Sequence, residues 1–220
     1  MSKALIFGST GLVGSALLHH LLDEKYYAEI VCFVRREIKS TNTNLKYIVT
    51  DFKDLESYGK EFENADVYCC LGTTIKKVNY DKEKFKKADL YNPVLIADCA
   101  KKYNSTQLLI ISALGANSRS SIFYNRVKGE LQDKLFTIKL NSLHILQPSL
   151  LVGDRVEKRA GERFGEVILN LFKPLLIGGL KKYRAIYVST IAKAMLKLAK
   201  EQKKGEYIYT SDIIQQIADA

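Results

Sequence analysis

The chain has few of the residues that build metal sites or disulfide frameworks. It carries three histidines and four cysteines in 220 residues. Cys32, Cys69, Cys70 and Cys99 form no C-x-x-C pair. A zinc site needs soft ligands at such short spacings, so none is expected. Cys32, Cys69 and Cys70 fall in apolar runs and read as buried thiols acting as small hydrophobes. No apolar run reaches the roughly 18–20 residues that span a bilayer, and no membrane partner is expected. Met1 to Ala4 lead directly into the first apolar run, without room for a cleavable secretory leader. The expected location is therefore cytoplasmic. Prolines number three, and neither repeats nor low-complexity segments occur.

What is present suits a folded enzyme-sized unit. Hydrophobic residues make up 47% of the chain, enough for a sizeable core, and the formal charge is +10. That charge alone invites a nucleic-acid reading. The lysines, however, alternate with acids in helix-like stretches such as Tyr80–Lys87 and form solvated faces. A soluble surface that attracts anionic cofactors is expected rather than a nucleic-acid groove.

Short apolar runs alternate with helical patterns, the mark of a parallel sheet covered on both faces. Strands are expected at Lys3–Phe7, Ile30–Val34, Lys46–Thr50, Val67–Leu71, Gln107–Ser112 and His144–Pro148. Helices are expected near Leu12–Asp23, Asp81–Tyr103 and Ser121–Leu135, with Pro93 bending or interrupting the second. Ser189–Lys200 reads as a capped helix, Tyr207–Thr210 as a last strand, and Ser211 as the cap of a last helix. The fold class is α/β: one Rossmann-type doubly wound domain over 1–220. After Pro148 the pattern changes. Glycine and charge collect in Gly153–Gly165, an apolar stretch follows at Val167–Ile177, and Gly178 and Gly179 close it. This region, about 149–187, reads as a small substrate lid.

The run Ala4–Phe7 passes straight into Gly8, Ser9, Thr10, Gly11, Leu12, Val13 and Gly14. A strand, a glycine turn and a helix in that order form the geometry that binds a dinucleotide pyrophosphate. Gly8 makes the tight turn, Gly11 lets backbone approach the phosphates, and Gly14 lets the helix pack close to the sheet. The unpaired N–H groups of the helix end face the phosphate oxygens.

Arg35 and Arg36 follow the second strand, where such folds reach the adenosine ribose. Arginine there suits the 2′-phosphate of NADP, with Ser9 as an added hydroxyl donor; the alternative is a surface pair. NADP(H) is the expected cofactor and NAD(H) the alternative. Asp51, beside Phe52 at the end of the third strand, is placed to accept the adenine amino group or to cap the helix that follows. Leu71, Gly72 and Thr73 end the fourth strand, where Gly72 lets backbone near the cofactor or simply turns the loop.

Tyr124 and Lys128 stand four apart, on one face of a helix. An ammonium beside a phenol favours its ionised form and makes it a usable acid or base. Ser112, at the end of the fifth strand, is placed to face the same pocket.

With these residues in place, the chain resembles the short-chain dehydrogenase/reductase superfamily. The spacing G-x-x-G-x-x-G is that of its extended and atypical members. Cys69–Thr74, Ser112–Ala116, Phe123–Glu130, Gln147–Leu151 and Gly153–Arg155 look more narrowly like the atypical group around the Tat-interacting oxidoreductase-like proteins. The resemblance runs over nearly the whole chain. It implies that Tyr124 is the general acid or base, and that Lys128 holds the nicotinamide ribose and lowers the Tyr124 pKa. It also implies that Ser112 hydrogen-bonds the substrate oxygen, that Gly8, Gly11 and Gly14 bind pyrophosphate and Arg35 the 2′-phosphate, and that Pro148 borders the nicotinamide. Ala113 departs from relatives that carry a second serine there. The short region after Pro148 departs from sugar-nucleotide epimerases, which have a larger substrate domain.

The expected function is an NADP-dependent oxidoreductase that moves a hydride to or from a small carbonyl or alcohol. Arg155, Arg159, Arg163 and Arg184 point to an anionic group on that small-molecule substrate. Two rivals stand beside it: a cofactor-binding regulatory or interaction protein with little turnover, and a sugar-nucleotide epimerase or dehydratase.

Overall fold

A computed structural model describes residues 2–153 and 178–220. The first half of the chain runs β1 (Lys3–Phe7), α1 (Leu12–Glu24), β2 (Glu29–Val34), β3 (Leu45–Val49), a short α2 (Gly59–Phe62) and β4 (Ala65–Cys69). Next come α3 (Lys82–Lys86), a π-helical turn (Lys87–Tyr91), α4 (Asn92–Lys102), β5 (Gln107–Ile111), α5 (Phe123–Ile138) and β6 (Ser142–Gln147). The chain closes with β7 (Leu151–Val152), β8 (Ile186–Tyr187), α6 (Val188–Glu201), β9 (Gly205–Thr210) and α7 (Ser211–Asp219).

Among the described residues one sheet has seven strands in the order β3-β2-β1-β4-β5-β6-β9. Every neighbouring pair in it is parallel. The strand order reverses between β1 and β4, the point at which doubly wound sheets open a crevice for ligands. β7 and β8 make a separate parallel pair, Leu151 opposite Ile186 and Val152 opposite Tyr187.

The strands read as unbroken apolar runs because both faces are covered. Along β1, Leu5 and Phe7 enter one apolar layer, with Phe85, Ile96 and Val127 from the helices after β4 and β5. Ala4 and Ile6 enter the opposite layer, with Leu17 and Leu21 of α1 and Ile191 and Met195 of α6. Each such fully buried side chain contributes roughly 1.5–3 kcal/mol.

The expected strands and helices appear within two residues at nearly every boundary, and three local expectations change. Pro93 does not break its helix. It has no N–H to offer the Asp89 carbonyl, and just before it the chain widens into the π turn, where the Asn92 N–H donates to the Lys87 carbonyl. The 188–201 helix starts at Tyr187 with no side-chain cap, so Ser189 lies inside it. Ser211 is the first helical residue of α7, after Thr210 at the cap position. Its hydroxyl is turned to Ser149, hydrogen-bonding the Ser149 hydroxyl at 3.0 Å and accepting the Ser149 N–H at 3.2 Å. Among the described residues no helix is long and apolar enough to cross a membrane. Most of the expected lid, with Arg155, Arg159, Arg163 and the apolar stretch Val167–Ile177, lies outside the described residues.

Candidate functional site

The glycine turn sits where β1 ends, beside β4. Gly8 has φ of +89°, and a Cβ there would lie 2.7 Å from the Cys70 carbonyl oxygen. A Cβ on Gly14 would lie 2.1 Å from the Gly8 carbonyl oxygen. Both glycines are thus demanded by the protein's own packing. Gly11 is different: a Cβ there would approach only the Gly8 oxygen, at 3.2 Å, and the residue is exposed. The Gly11 N–H donates to the Gly8 carbonyl at 2.9 Å, closing the turn. Gly11 then stands at the cap position of α1 with no side chain to cap it, and the first turn holds no acid. The opening N–H groups of α1, from Leu12 to Gly14, have no acceptor within the helix. An uncapped, acid-free helix start behind an open glycine is a seat for an anion. Thr10 is exposed with Gly11, and Leu12 is half-buried. Val13 is buried. The Ser9 hydroxyl is enclosed, without a hydrogen-bond partner among the described residues.

Arg35 and Arg36 are exposed at the bend after β2. Asp51 is exposed too; its carboxylate accepts the Lys53 N–H at 3.0 Å and meets the Lys53 ammonium at 3.3 Å. These contacts, the backbone one foremost, hold its pKa below the usual carboxylate range. The Phe52 ring belongs to the core, 6.1 Å from Phe7 between centroids, so that side chain is not offered to the crevice.

Lys128 and Tyr124 share one face of α5, and a third group completes their setting. Lys128 is buried, and its Nζ lies 2.8 Å from the Asp89 Oδ1. Asp89 is 1% exposed and comes from the π turn. Its Oδ2 accepts the Thr73 N–H at 2.8 Å. Leu71, Gly72 and Thr73 are therefore tied through Asp89 to Lys128, and Cys70 ties the same run to the glycine turn. Burial pulls the Lys128 pKa down, but the Asp89 charge and the Tyr124 hydroxyl push harder, and the net direction is up.

Tyr124 is 40% exposed, with its ring edge-on to Phe85 at 5.9 Å. Burial of its inner side raises the phenol pKa, Lys128 pulls it down, and Asp89 raises it again; the result is up. The expected lowering by Lys128 is present but outweighed, first by burial and then by the Asp89 carboxylate.

Ser112 is 3% exposed, and its Oγ accepts the Gln132 Nε2 at 2.5 Å. The Gln132 carbonyl oxygen in turn accepts the Gln147 amide at 3.0 Å. Pro148 is buried, and its carbonyl accepts the Leu114 N–H at 3.0 Å. Sequence reasoning missed Asp89 and Gln132. Each leaves only a mark of position, a polar residue on an apolar helical stripe, and nothing that names its partner: Asp89 between Phe85 and Pro93, and Gln132 one turn beyond Lys128.

The donor set fits a dinucleotide: an anion seat at Leu12–Gly14, an open glycine, and a buried ammonium one short loop away. Comparison with known proteins agrees. A family model described as NAD(P)H-binding matches residues 8–151. Protein HTATIP2 of Rattus norvegicus is 30% identical over 198 residues, covering 88% of this chain and 79% of that protein. Protein FMP52, mitochondrial, of Candida albicans is 30% identical over 210 residues, covering 93% of this chain and 90% of that protein. Among solved structures, MoeE5 in complex with UDP-glucuronic acid and NAD superposes with a TM-score of 0.71 at 14% identity, covering 94% of this chain and 75% of that one. UDP-glucose 4-epimerase of Thermotoga maritima superposes at 0.66 with 16% identity, covering 99% and 81%. At such identities the likeness is one of fold.

Proposed function

This chain belongs to the NAD(P)H-binding family, among the Rossmann proteins of short-chain dehydrogenase/reductase type, and on that premise we propose an NADP-dependent oxidoreductase acting on a small carbonyl or alcohol. The observation that carries the proposal is the buried Lys128, one helical turn from Tyr124 and joined through Asp89 and Thr73 to the loop beside the glycine turn.

Each residue has a role in this reading. The N–H groups of Leu12, Val13 and Gly14 hold the pyrophosphate, and Gly11 leaves room for it. Arg35, with Arg36, takes the 2′-phosphate and sets the preference for NADP(H) over NAD(H). Asp51 borders the adenine, and Leu71–Thr73 and Pro148 line the crevice. Lys128 holds the ribose through donors left over from Asp89. When bound, the nicotinamide supplies or accepts a hydride at the substrate carbon. Tyr124 gives the proton to the substrate oxygen or takes it back. Ser112 orients that oxygen. We place the protein in the cytoplasm; the Candida albicans relative is mitochondrial by its name, and cell fractionation decides for this chain.

A titration with NADPH and NADH, followed by turnover on a panel of aldehydes and ketones, tests the proposal. Tighter NADPH binding with turnover that Tyr124→Phe abolishes supports it. Binding without turnover on any carbonyl supports the second reading, a cofactor-binding regulator. One observation favours that rival: Ser112 is 3% exposed, so little of it is offered to a substrate.

A further inference from the structure

The ion pair behind Tyr124 has a geometry that a simple ribose-binding lysine does not require. Lys128 projects from α5 into a buried spot, where a carboxylate meets it at 2.8 Å. That carboxylate is itself fixed on its other oxygen by a backbone N–H from the loop after β4. One carboxylate thus joins the loop after β4 to the ammonium on α5. The π turn presents Asp89 on the face of its helix that packs against α5, in line with Phe85 and Ile96 of the same apolar layer. Such a pair is not held for stability alone: taking two charges out of water carries a desolvation penalty that an apolar pair would avoid.

Among the described residues, the charges around Tyr124 are few: Lys128 stands on its own helix and Asp89 on the π turn. Cys69 of β4, its thiol pushed up to about 12 by burial, neighbours that ion pair as a neutral group. Lys82 of α3 and Arg126 of α5 lie over the neighbouring Phe123 ring, 5.6 and 5.8 Å from its centroid. Among the described residues, burial acts most strongly on the phenol, and the charges that act on it are one ammonium and one carboxylate.

We propose that Asp89 is a positioning residue for the Tyr124–Lys128 pair: its carboxylate, shared between the Thr73 N–H and the Lys128 ammonium, fixes where that ammonium sits and offsets its charge, so that Tyr124 is held as a protonated phenol. This rests on Tyr124 being the proton-transfer group. The form held is the donor, the one a carbonyl reduction needs, and the loop beside the cofactor crevice is built into the same arrangement. Burial and the Asp89 charge, which together outweigh the pull of Lys128 on the phenol, act in the same direction.

The test reads the ionisation of Tyr124 directly and needs no substrate. Carbon-labelled tyrosine NMR follows the ring resonance that Tyr124→Phe removes, across a pH titration of the whole chain. Asp89→Asn is expected to lower the Tyr124 midpoint by about one to three pH units, since the ammonium is then unopposed. Asp89→Glu, which keeps the charge, is expected to restore most of it. The double variant Asp89→Asn with Lys128→Met removes both charges and is expected to return the midpoint to within about one pH unit of the parent. A folded Asp89→Asn protein with an unmoved midpoint overturns the proposal. So does a double variant whose midpoint falls as low as that of the single one. Should Asp89→Asn fail to fold with its buried ammonium unpaired, the double variant alone decides: a midpoint near the parent supports the proposal, and a large drop overturns it. Absence of turnover on every carbonyl would sink the oxidoreductase reading while leaving this measurement intact.

Discussion

Gln132 donates its side-chain amide to the Ser112 hydroxyl across 2.5 Å, tying the middle of α5 to the end of β5. Both residues are nearly fully buried. Ser112→Ala leaves that amide without its acceptor, and the expected loss is about 1–3 kcal/mol of stability in urea unfolding. Adding Gln132→Leu removes the stranded donor and should recover part of the loss. A Ser112→Ala protein as stable as the parent would show that the hydrogen bond carries no weight.

The three glycines of the turn separate into two kinds. Gly11→Val is expected to leave the protein folded and abolish binding of NADPH and NADH, because its Cβ meets only the Gly8 oxygen, at 3.2 Å, while its branches enter the space proposed for the pyrophosphate. Gly14→Ala is expected to lower stability by roughly 1–3 kcal/mol or more, since the new methyl group overlaps the Gly8 carbonyl. Thermal melts beside cofactor titrations separate the two effects. A folded Gly11→Val protein with parental affinity would make the turn purely architectural.

In the proposed reading Arg35 sets the choice between cofactors. Arg35→Ala should weaken NADP(H) by about 1.5–3 kcal/mol, the range for a hydrogen bond to a charged group, and leave NAD(H) nearly unchanged. Calorimetry with both nucleotides reads this directly. An equal loss for both would move the role from the 2′-phosphate to the general field of the surface.

Tyr124→Phe keeps the ring against Phe85 and removes only the transferable proton. Turnover on an identified carbonyl should fall by about 10²–10⁴-fold with NADPH affinity retained. Parental turnover in this variant would place the proton donor elsewhere.

His144 makes stability depend on pH. It is fully buried on β6, between Ser142 and Tyr209, and burial lowers its pKa from 6.5 to about 4. Between those values the unfolded chain binds a proton that the folded one does not. Stability from this group is complete above pH 6.5 and drains away as pH falls toward about 4, by roughly 3 kcal/mol in all. His144→Asn should flatten that part of the profile in urea unfolding followed from acid to neutral pH. An equally steep profile in the variant would assign the acid sensitivity to other groups.

The layered architecture was readable because buried parallel strands are continuous apolar runs; β1, β2 and β5 stand out from their surroundings. The glycine turn and the Tyr124–Lys128 spacing were readable because each depends on residues close in sequence. Asp89 was not, because its meaning lies in a contact with a residue 39 positions further on. Its acid also sits in a lysine-rich segment, where a solvated charge is the ordinary outcome. Phe52 misled for the opposite reason: a strand-end position suggests a ligand contact, but a left-handed backbone at φ +73° turns the ring back into the core. Ser211 misled in the same way as a cap, because Ser149, far away in sequence, claims its hydroxyl.

The parallel pair between β7 and β8 works as a clasp on the stretch between Val152 and Ile186. Its two ends are pinned to each other by Leu151–Ile186 and Val152–Tyr187, apart from the seven-stranded sheet. In the unfolded chain those ends are free, and bringing them together carries a closure cost that rises only slowly with the length between them, about 0.6 kcal/mol for each doubling. Opening that clasp parts Leu151 from Ile186 and leaves every strand pairing of the seven-stranded sheet in place.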